Sequence, residues 1–493
     1  MTGPTVRLYT AAQVRQLDAL AIETHGIAGY TLMTRAGEAV VKVARERFPA
    51  ARRWLVLCGG GNNGGDGYVA ARLAAAAGID VHLVALKPPA ELSGDAAQAA
   101  QDWQGEGGAV HPWPPDSGSD FDLVIDAMLG TGLDREVGGR YREAVEWVNR
   151  QPWPCLAVDV PSGLNADTGT PMGCAVEADV SVSFIGQKRG LYTADGPDHA
   201  GEVRFETLQT PFEMHQAIAD SGTLIREYII VQTLQRRARN AHKGHFGHVL
   251  VAGGIEGMGG APRLCGEAAL RAGAGLVSVA THPTHAAAVH LGRPELMVHA
   301  AADGDALQAL LQRATVIALG PGLGQQEWSR SLWAACIDSP LPLVVDADGL
   351  NLLAGSELER DHWILTPHPA EAARLLACET AEVQADRVAA ALELARRRHA
   401  TIALKGCGTV VADPTGRYGI CSLGNPGMAT AGTGDVLTGV VAALLAQGLE
   451  PMPAAMAAVA AHAAAGDLAA EACGERGLLA GDITRRLPRV LNP

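Results

Sequence analysis

The stretch WLVLCGGGNNGGDGYVAARLAAAAGIDVHLVAL, residues 54–86, decides the fold of the first half of this chain. It begins with a buried-looking apolar strand at 54–58. A glycine-rich loop at 59–67, an alanine-rich helical segment and a second apolar strand at 79–86 follow. Short apolar runs joined by helical segments are typical of βαβ units, whose parallel strands are covered by helices. The stretch therefore predicts an α/β domain.

The same alternation extends in both directions along the chain. In the first half we predict further strands at 123–126, 155–159 and 180–185. In the second half we predict strands at 248–252, 276–280, 316–319, 343–346 and 401–404. Apolar residues recur at helical spacing after Asp435. Because 207–235 carries little periodic signal, we place a domain boundary there and expect domains at 1–215 and 225–493.

Composition excludes several classes of protein. The chain has 493 residues and a net charge of −14, which argues against a general nucleic-acid binder, since such a protein needs a basic surface. No apolar run approaches the roughly 20 residues that span a bilayer. The nine cysteines are scattered singly, without a C-x-x-C pair, as expected for reduced core residues. We expect a soluble cytoplasmic protein that acts on small molecules.

The glycine loop departs from an ordinary dinucleotide site. Gly59, Gly61 and Gly64 satisfy G-x-G-x-x-G. A dehydrogenase would also carry an acid at the end of the second strand, but this strand ends in Leu86 and Lys87. The loop instead holds the polar side chains of Asn62, Asn63 and Asp66, the last of which could alternatively cap the following helix.

Two acids stand at the carboxyl ends of later strands, where ligands bind in open α/β sheets. They are Asp126 and Asp159. We expect Asn63, Asp126 and the Ser162 hydroxyl to converge there. Hard oxygen ligands of this kind suit an alkali or alkaline-earth ion, although each acid taken alone could simply cap a helix.

Four motifs in the first half resemble, in order and spacing, the NAD(P)H-hydrate epimerase family. They are GYTLMTRAG, GGGNNGGDGYVAARLA, DAMLGTGL and VDVPSGLNADTG, within residues 7–210. The resemblance implies a Rossmann-like three-layer domain and a potassium ion held by Asn63, Asp126 and Ser162. It implies contacts to hydrated cofactor from Asn62, Asn63, Gly64, Gly65, Asp66, Gly130, Thr131, Gly132, Leu133, Asp134, Arg135, Glu136 and Asp159. We expect Asp159 to be catalytic as an acid or base; the alternative is that the domain only stabilises a ring-opened or iminium intermediate.

The strongest motif of the second half is GNPGMATAGTGDVLTG, residues 424–439. A turn of small residues at a helix N-terminus directs free N–H groups and the positive end of the helix dipole at a phosphate. Asp435 in that turn is placed to accept a proton from a substrate hydroxyl that attacks a γ-phosphoryl group. No GxxxxGK[ST] sequence occurs, so a P-loop enzyme is excluded. The alternative is an ordinary glycine-rich cap.

Four further motifs accompany this turn: GPGLG (320–324), VVDADGLNLL (344–353), TPHPAEAARLL (366–376) and LKGCGTVV (404–411). Together the motifs resemble the ADP-dependent NAD(P)H-hydrate dehydratase family, over about 236–490. The resemblance implies a ribokinase-like α/β fold. It implies nucleotide contacts from Lys405, Gly406, Cys407, Gly408, Thr409 and Gly434, and hydrated-cofactor contacts from Ala261, Gly322, His368 and Asp435. It also implies Mg²⁺, organised with the help of Glu371, while His368 could alternatively be structural.

The two resemblances together predict a bifunctional cofactor-repair enzyme. The first domain would epimerise the R and S forms of hydrated NADH and NADPH, and the second would dehydrate the S form with ADP or ATP through a phosphorylated intermediate. We also expect a homo-oligomer. The alternative is a vitamin-precursor kinase of the ribokinase superfamily with a non-catalytic N-terminal binding module.

Overall fold

A computed structural model of the chain describes residues 6–116, 120–219 and 222–492. It divides into two compact units, Arg7–Gly222 and Thr223–Pro493, and Val6 belongs with the second. The start of the expected first domain, residues 1–5, lies outside the described residues. Each unit has apolar clusters of its own. Within the described ranges, no helix combines the length and the apolar character needed to cross a bilayer.

The first unit contains nine strands and six α-helices among its described residues. The strands are β1 Arg7–Tyr9, β2 Arg53–Cys58, β3 Asp80–Ala85, β4 Val110–His111, β5 Leu123–Ala127, β6 Cys155–Val158, β7 Val180–Phe184, β8 Gln187–Lys188 and β9 Glu202–Glu206. The helices are α1 Ala11–Ala19, α2 Gly29–Arg47, α3 Asn62–Ala76, α4 Gly94–Gly105, α5 Gly139–Val148 and α6 Gly196–Ala200, with a π-helical turn at Leu20–Thr24 after α1.

The main sheet of this unit is parallel, in the order β4-β3-β2-β5-β6-β7-β9. The strand order reverses at β2, which pairs with β3 on one side and β5 on the other. Trp54 and Val56 face a core formed with α2–α4, whereas Leu55 and Leu57 face a second core that includes α5. Helices on both faces make this a three-layer α/β unit, which confirms the predicted fold class.

The glycine segment differs from its prediction, because α3 begins at Asn62 and takes in most of the expected loop. Here the glycines allow close packing. A Cβ at Gly64 would lie 2.2 Å from the Gly59 carbonyl oxygen, and one at Gly67 would lie 2.5 Å from the Ala127 Cβ. Asp66 lies inside the helix, whose N-cap is Gly61, so the alternative reading of Asp66 as the cap is wrong.

The second unit is also built around a mainly parallel sheet. Its strands are β10 Gly222–Ile225, β11 His248–Ala252, β12 Leu276–Thr281, β13 Met297–Ala300, β14 Val316–Leu319, β15 Leu343–Val345, β16 Trp363–Leu365, β17 Thr401–Leu404, β18 Val410–Ala412 and β19 Tyr418–Cys421. Their order is β13-β12-β11-β14-β15-β16-β17-β18-β19-β10, and only β18 runs antiparallel to its neighbours.

Twelve α-helices accompany this sheet in the described part of the unit. They are α7 Tyr228–Thr233, α8 Gly260–Arg271, α9 Ala286–Val289, α10 Gln308–Leu311, α11 Glu327–Ile337, α12 Ala347–Leu353, α13 Pro369–Leu376, α14 Thr380–Ala385, α15 Arg387–Arg398, α16 Thr433–Ala446, α17 Pro451–Cys473 and α18 Ala480–Val490. The helix predicted after Asp435 is α16, and its residues from Val436 to Leu445 are buried. Its small and aliphatic side chains allow α8 and α17 to pack closely against it.

Candidate active sites

A cleft of about 660 Å³ opens at the carboxyl ends of β2, β5 and β6 in the first unit, next to the reversal of strand order. Most of the substrate residues expected there line it. They are Asn62, Asn63, Asp66, Gly130, Thr131, Gly132, Leu133, Asp134, Arg135, Glu136 and Asp159. Gly64 and Gly65 do not line the cleft and instead allow α3 to pack closely against its neighbours. A Cβ at Gly65 would lie 2.5 Å from the Met33 methyl carbon.

Asn63, Asp126 and Ser162 meet around the backbone of Leu129. Asn63 Nδ2 donates to the Leu129 carbonyl oxygen at 3.0 Å, and the Leu129 N–H donates to Ser162 Oγ at 2.8 Å. Ser162 donates to Asp126 from both its backbone N–H, at 2.8 Å, and its hydroxyl, at 2.5 Å. Burial raises the pKa of Asp126 to about 6, although the hydrogen bonds that Asp126 accepts lower it. The three predicted cation ligands therefore share one small, buried, oxygen-rich site.

Asp159 follows β6 in the left-handed region, with φ 67°, and forms an ion pair with the buried ammonium of Lys188. The ammonium also donates to the Phe184 carbonyl oxygen at 2.8 Å and to Ser183 Oγ at 3.3 Å. Three oxygen acceptors thus hold Lys188 in the cleft wall. The sequence analysis missed Lys188, although a lysine beside a glycine turn at a strand end was a usable signal.

Two of the other carboxyl groups that line this cleft have raised pKa values, Asp66 from α3 and Asp18 from α1. Burial raises the pKa of Asp66 well above its usual range, and the negative charge of Asp159 raises it further. Burial raises the pKa of Asp18 to about 6, although the Lys188 ammonium opposes this effect. Asp18 was not expected in the site, because no local pattern distinguishes it from an ordinary helix residue.

The second unit brings three charged side chains together at the carboxyl ends of β15, β16 and β17. Lys405 Nζ lies 2.6 Å from Asp346 Oδ1 and 3.8 Å from Glu371 Oε2. Asp346 is almost fully buried and also accepts from the Thr438 hydroxyl at 2.7 Å. Burial would raise the pKa of Asp346, but the Lys405 ammonium outweighs that effect and holds the pKa low. Asp346 is a site residue that the sequence analysis missed.

The N-terminus of α16 faces this cluster. Gly432 adopts φ 90° as the N-cap, and the Thr433 hydroxyl donates to the carbonyl oxygens of Met428 and Thr430. A Cβ at Gly434 would lie 3.4 Å from Lys405 Nζ. Burial, reinforced by the charge of Asp346, raises the pKa of Asp435 to about 7. The helix start thus combines N–H groups suited to an anion with a carboxyl that titrates near neutrality.

His368 has a structural role as the N-cap of α13. Its Nδ1 accepts from the N–H groups of Ala370 and Glu371, and Glu371 Oε2 accepts from the His368 N–H at 2.7 Å. Burial lowers the pKa of His368, and its Nε2 lies 3.3 Å from Glu371 Oε1. Burial raises the pKa of Glu371 to about 7. Substrate contact by His368 stays a prediction.

The remaining expected residues lie in loops of the same unit. Gly322 adopts φ 58°, and a Cβ there would lie 3.1 Å from the Ala261 Cβ, so these two predicted contacts are neighbours. The predicted nucleotide segment 405–409 connects β17 to β18. In it Gly406 and Cys407 are exposed, Thr409 donates to the Gly406 carbonyl oxygen at 3.0 Å, and Gly408 adopts φ 62°. Lys405 itself is directed at Asp346.

Both halves match family models. The model described as NAD(P)H-hydrate dehydratase matches residues 249–489, and that described as YjeF-related protein N-terminus matches residues 29–190. The bifunctional NAD(P)H-hydrate repair enzyme Nnr of Coxiella burnetii is 46% identical over 486 residues, which cover 99% of each chain. Its namesake from Escherichia coli is 43% identical over 493 residues, covering 99% of this chain and 94% of the relative.

A solved structure supports the fold of the second half. A ribokinase-like superfamily protein from Enterococcus faecalis is 28% identical, with a TM-score of 0.50, and the match covers 54% of this chain and 94% of that protein. The second unit is therefore ribokinase-like, as the sequence predicted.

Proposed function

The chain belongs to the family of bifunctional NAD(P)H-hydrate repair enzymes, and from that membership we propose that each of its two units performs one of the two repair reactions. The first unit interconverts the R and S forms of hydrated NADH and NADPH. The second uses ADP or ATP to return the S form to the intact cofactor. The observation that carries this proposal is the full-length match to relatives named as bifunctional NAD(P)H-hydrate repair enzymes.

In the second unit the chemistry begins with activation of the 6-hydroxyl group of the hydrate. Asp435 accepts the hydroxyl proton while the hydroxyl oxygen attacks the terminal phosphoryl group of the nucleotide. The N–H groups at the start of α16 stabilise the phosphate charge. Phosphate is a better leaving group than hydroxide, so it departs, C5 loses a proton, and the C5=C6 double bond returns.

The charged cluster beneath this turn positions the reacting groups. Lys405 neutralises Asp346, and Asp346 in turn fixes Thr438 on α16. The carboxyl oxygens of Glu371 are hard donors of the kind that suits Mg²⁺. We propose that Mg²⁺ enters with the nucleotide, where it would neutralise phosphate charge. The loop 405–409 and Gly434 are the proposed nucleotide contacts, and Ala261, Gly322 and His368 the proposed hydrate contacts.

In the first unit we propose that Asn63, Asp126 and Ser162 hold K⁺. Their amide, carboxylate and hydroxyl oxygens are hard donors, and the site is buried against the Leu129 backbone. A bound K⁺ would supply a fixed positive charge at the reversal point of the sheet. Asp159, held by Lys188, lies in the same cleft and is the proposed polar contact to the reacting end of the hydrate.

A coupled absorbance assay tests this division. Incubation of the full chain with mixed R and S hydrates of NADH and with ADP should restore the reduced-nicotinamide absorbance completely. A chain that repaired the S fraction directly, and the R fraction only at the rate of spontaneous R-to-S exchange, would lack the epimerase activity. The alternative of a vitamin-precursor kinase with a binding module is disfavoured, because relatives 46% and 43% identical over the full length carry the repair name.

We also propose that the protein works as a homo-oligomer in the cytoplasm. All nine cysteines are free, and five of them are buried, which suits a reducing compartment. The edge strand β13 exposes Met297, and Leu291 nearby is 60% exposed, so this edge is a candidate contact between copies. Sedimentation velocity on the purified chain measures the oligomeric state directly.

A further inference from the structure

Asp18 lies in the wall of the epimerase cleft, and its position is fixed by packing. Thr10 and Gln13 form a capping box at the start of α1. Val14 and Leu17 of α1 pack against Gly186, where a Cβ would lie 3.1 Å from the Leu17 Cδ1. Gly186 belongs to the turn that carries Lys188, and the short strand β1 pairs with β8. The helix that carries Asp18 is therefore held against the turn that carries Lys188.

The helix also ends in an unusual way directly after Asp18. Leu20–Thr24 form a π-helical turn, and π-turns occur frequently at functional sites. Val14, Arg15, Asp18 and Ile22 all line the cleft, so this helical segment forms one wall of it. Among the described residues, the Asp18 carboxyl makes no hydrogen bond and no ion pair, although it is only partly exposed. A half-buried carboxyl without a partner is available to a ligand.

Of the five other carboxyl groups that line the cleft (Asp66, Asp95, Asp134, Glu136 and Asp159), Asp66 and Asp159 interact electrostatically with Asp18 and are less suited to exchanging a proton. The Asp159 carboxylate is already engaged by the ammonium of Lys188. Burial and the charge of Asp159 raise the pKa of Asp66 well above its usual range. Asp18 has a pKa raised to about 6 by burial, while Lys188 lowers it and Asp159 raises it. General acids work best when they titrate near the working pH.

We propose that Asp18 is the general acid of the epimerisation, a catalytic residue that protonates the departing C6 oxygen of the hydrate. This inference rests on the proposed epimerase function of the first unit. The Asp18 proton moves to the C6 hydroxyl, the C6–O bond breaks with its electron pair leaving on water, and the lone pair of ring nitrogen N1 forms a C=N bond. Water then adds to the other face of C6 and releases one proton, which restores the Asp18 acid.

The test uses the full chain and the R hydrate of NADH, with conversion to the S form followed by chromatography. Asp18→Asn should lower kcat by about 100-fold or more, with KM within about threefold of the parent value, because it removes the acid and keeps the shape. Glu23→Gln is the matched control, an exposed carboxyl on the same helical segment, and should behave like the parent. Dehydration of pure S hydrate with ADP should be unchanged in both variants.

Two readouts separate acid catalysis from a structural role. In the parent, kcat should fall as pH rises through about 6, since the donor must be protonated, and this slope should vanish in Asp18→Asn. Asp18→Ala should regain turnover when formate is added, since formic acid can replace the lost group. Near-parent turnover in Asp18→Asn would overturn the proposal, and so would a higher KM at parent kcat or an absence of formate rescue. A parent chain with no epimerisation would instead refute the proposed function.

Discussion

Replacement of Asp435 by Asn tests the mechanism of the second unit most directly. The amide keeps the shape of the carboxyl, but it cannot accept the substrate proton. Loss of a general base typically lowers the rate by about 10²–10⁴-fold. We therefore expect Asp435→Asn to dehydrate S hydrate at under about 1% of the parent rate.

The pH dependence of the parent kcat gives a second quantitative test. Because the pKa of Asp435 is raised to about 7, the base is about one-tenth ionised at pH 6, half at pH 7 and nine-tenths at pH 8. The parent kcat should therefore rise about fivefold from pH 6 to pH 7 and about twofold more by pH 8. The residual rate of Asp435→Asn should lack this rise.

Nucleotide affinity should respond differently from turnover. The phosphates are expected at the N–H groups that begin α16, which the substitution leaves in place, and one negative charge near them disappears. Calorimetry should thus give an ADP affinity equal to that of the parent or slightly tighter. Glu450→Gln, an exposed carboxyl at the N-cap of α17, is the control and should match the parent in both assays. Near-parent turnover by Asp435→Asn would show that Asp435 takes no part in the reaction, which would refute its proposed role as general base.

Three further predictions concern other parts of the molecule. Asp126→Ala should abolish acceleration of R-to-S exchange, and any stimulation of it by K⁺, while S dehydration stays intact; full epimerisation would make Asp126 a structural residue only. A chain of residues 223–493 should fold and still convert S hydrate with ADP, since that unit has its own core, whereas a folded but inactive fragment would contradict the division of activities. Lys405→Met should lower the free energy of unfolding of the second unit by about 3–5 kcal/mol, because it leaves Asp346 buried and unpaired. The Lys405 ammonium holds the pKa of Asp346 low in the parent, so this difference should be present at neutral pH and should shrink as pH falls, because the unpaired Asp346 of the variant then takes up a proton. A series of urea titrations measures the difference, and a pH-independent difference would contradict the ion-pair explanation.

The sequence by itself predicted the features that depend on local pattern. Apolar runs predicted strands that the structure has at 248–252, 316–319 and 401–404, since a buried parallel strand must be apolar on both faces. The acid at the end of β5 and the small-residue turn before Asp435 were likewise visible in single motifs. The sequence predicted a glycine-rich loop at 59–67, and glycine disfavours helices. That assignment was wrong, because tight packing against Gly59 and Ala127 outweighs the propensity.

The partners of the site residues were decided by tertiary structure alone. Lys188 meets Asp159 across 29 positions of sequence, and Lys405 meets Asp346 across 59. Asp18 reaches the cleft only because α1 packs against the turn after β7. Whether the pKa of a carboxyl is raised to about 6 or about 7, or held below its usual range, depends on how deeply the carboxyl is buried and which charge faces it. Those quantities follow from the order of strands in the sheet and from the packing of helices on it, which no local stretch of sequence contains.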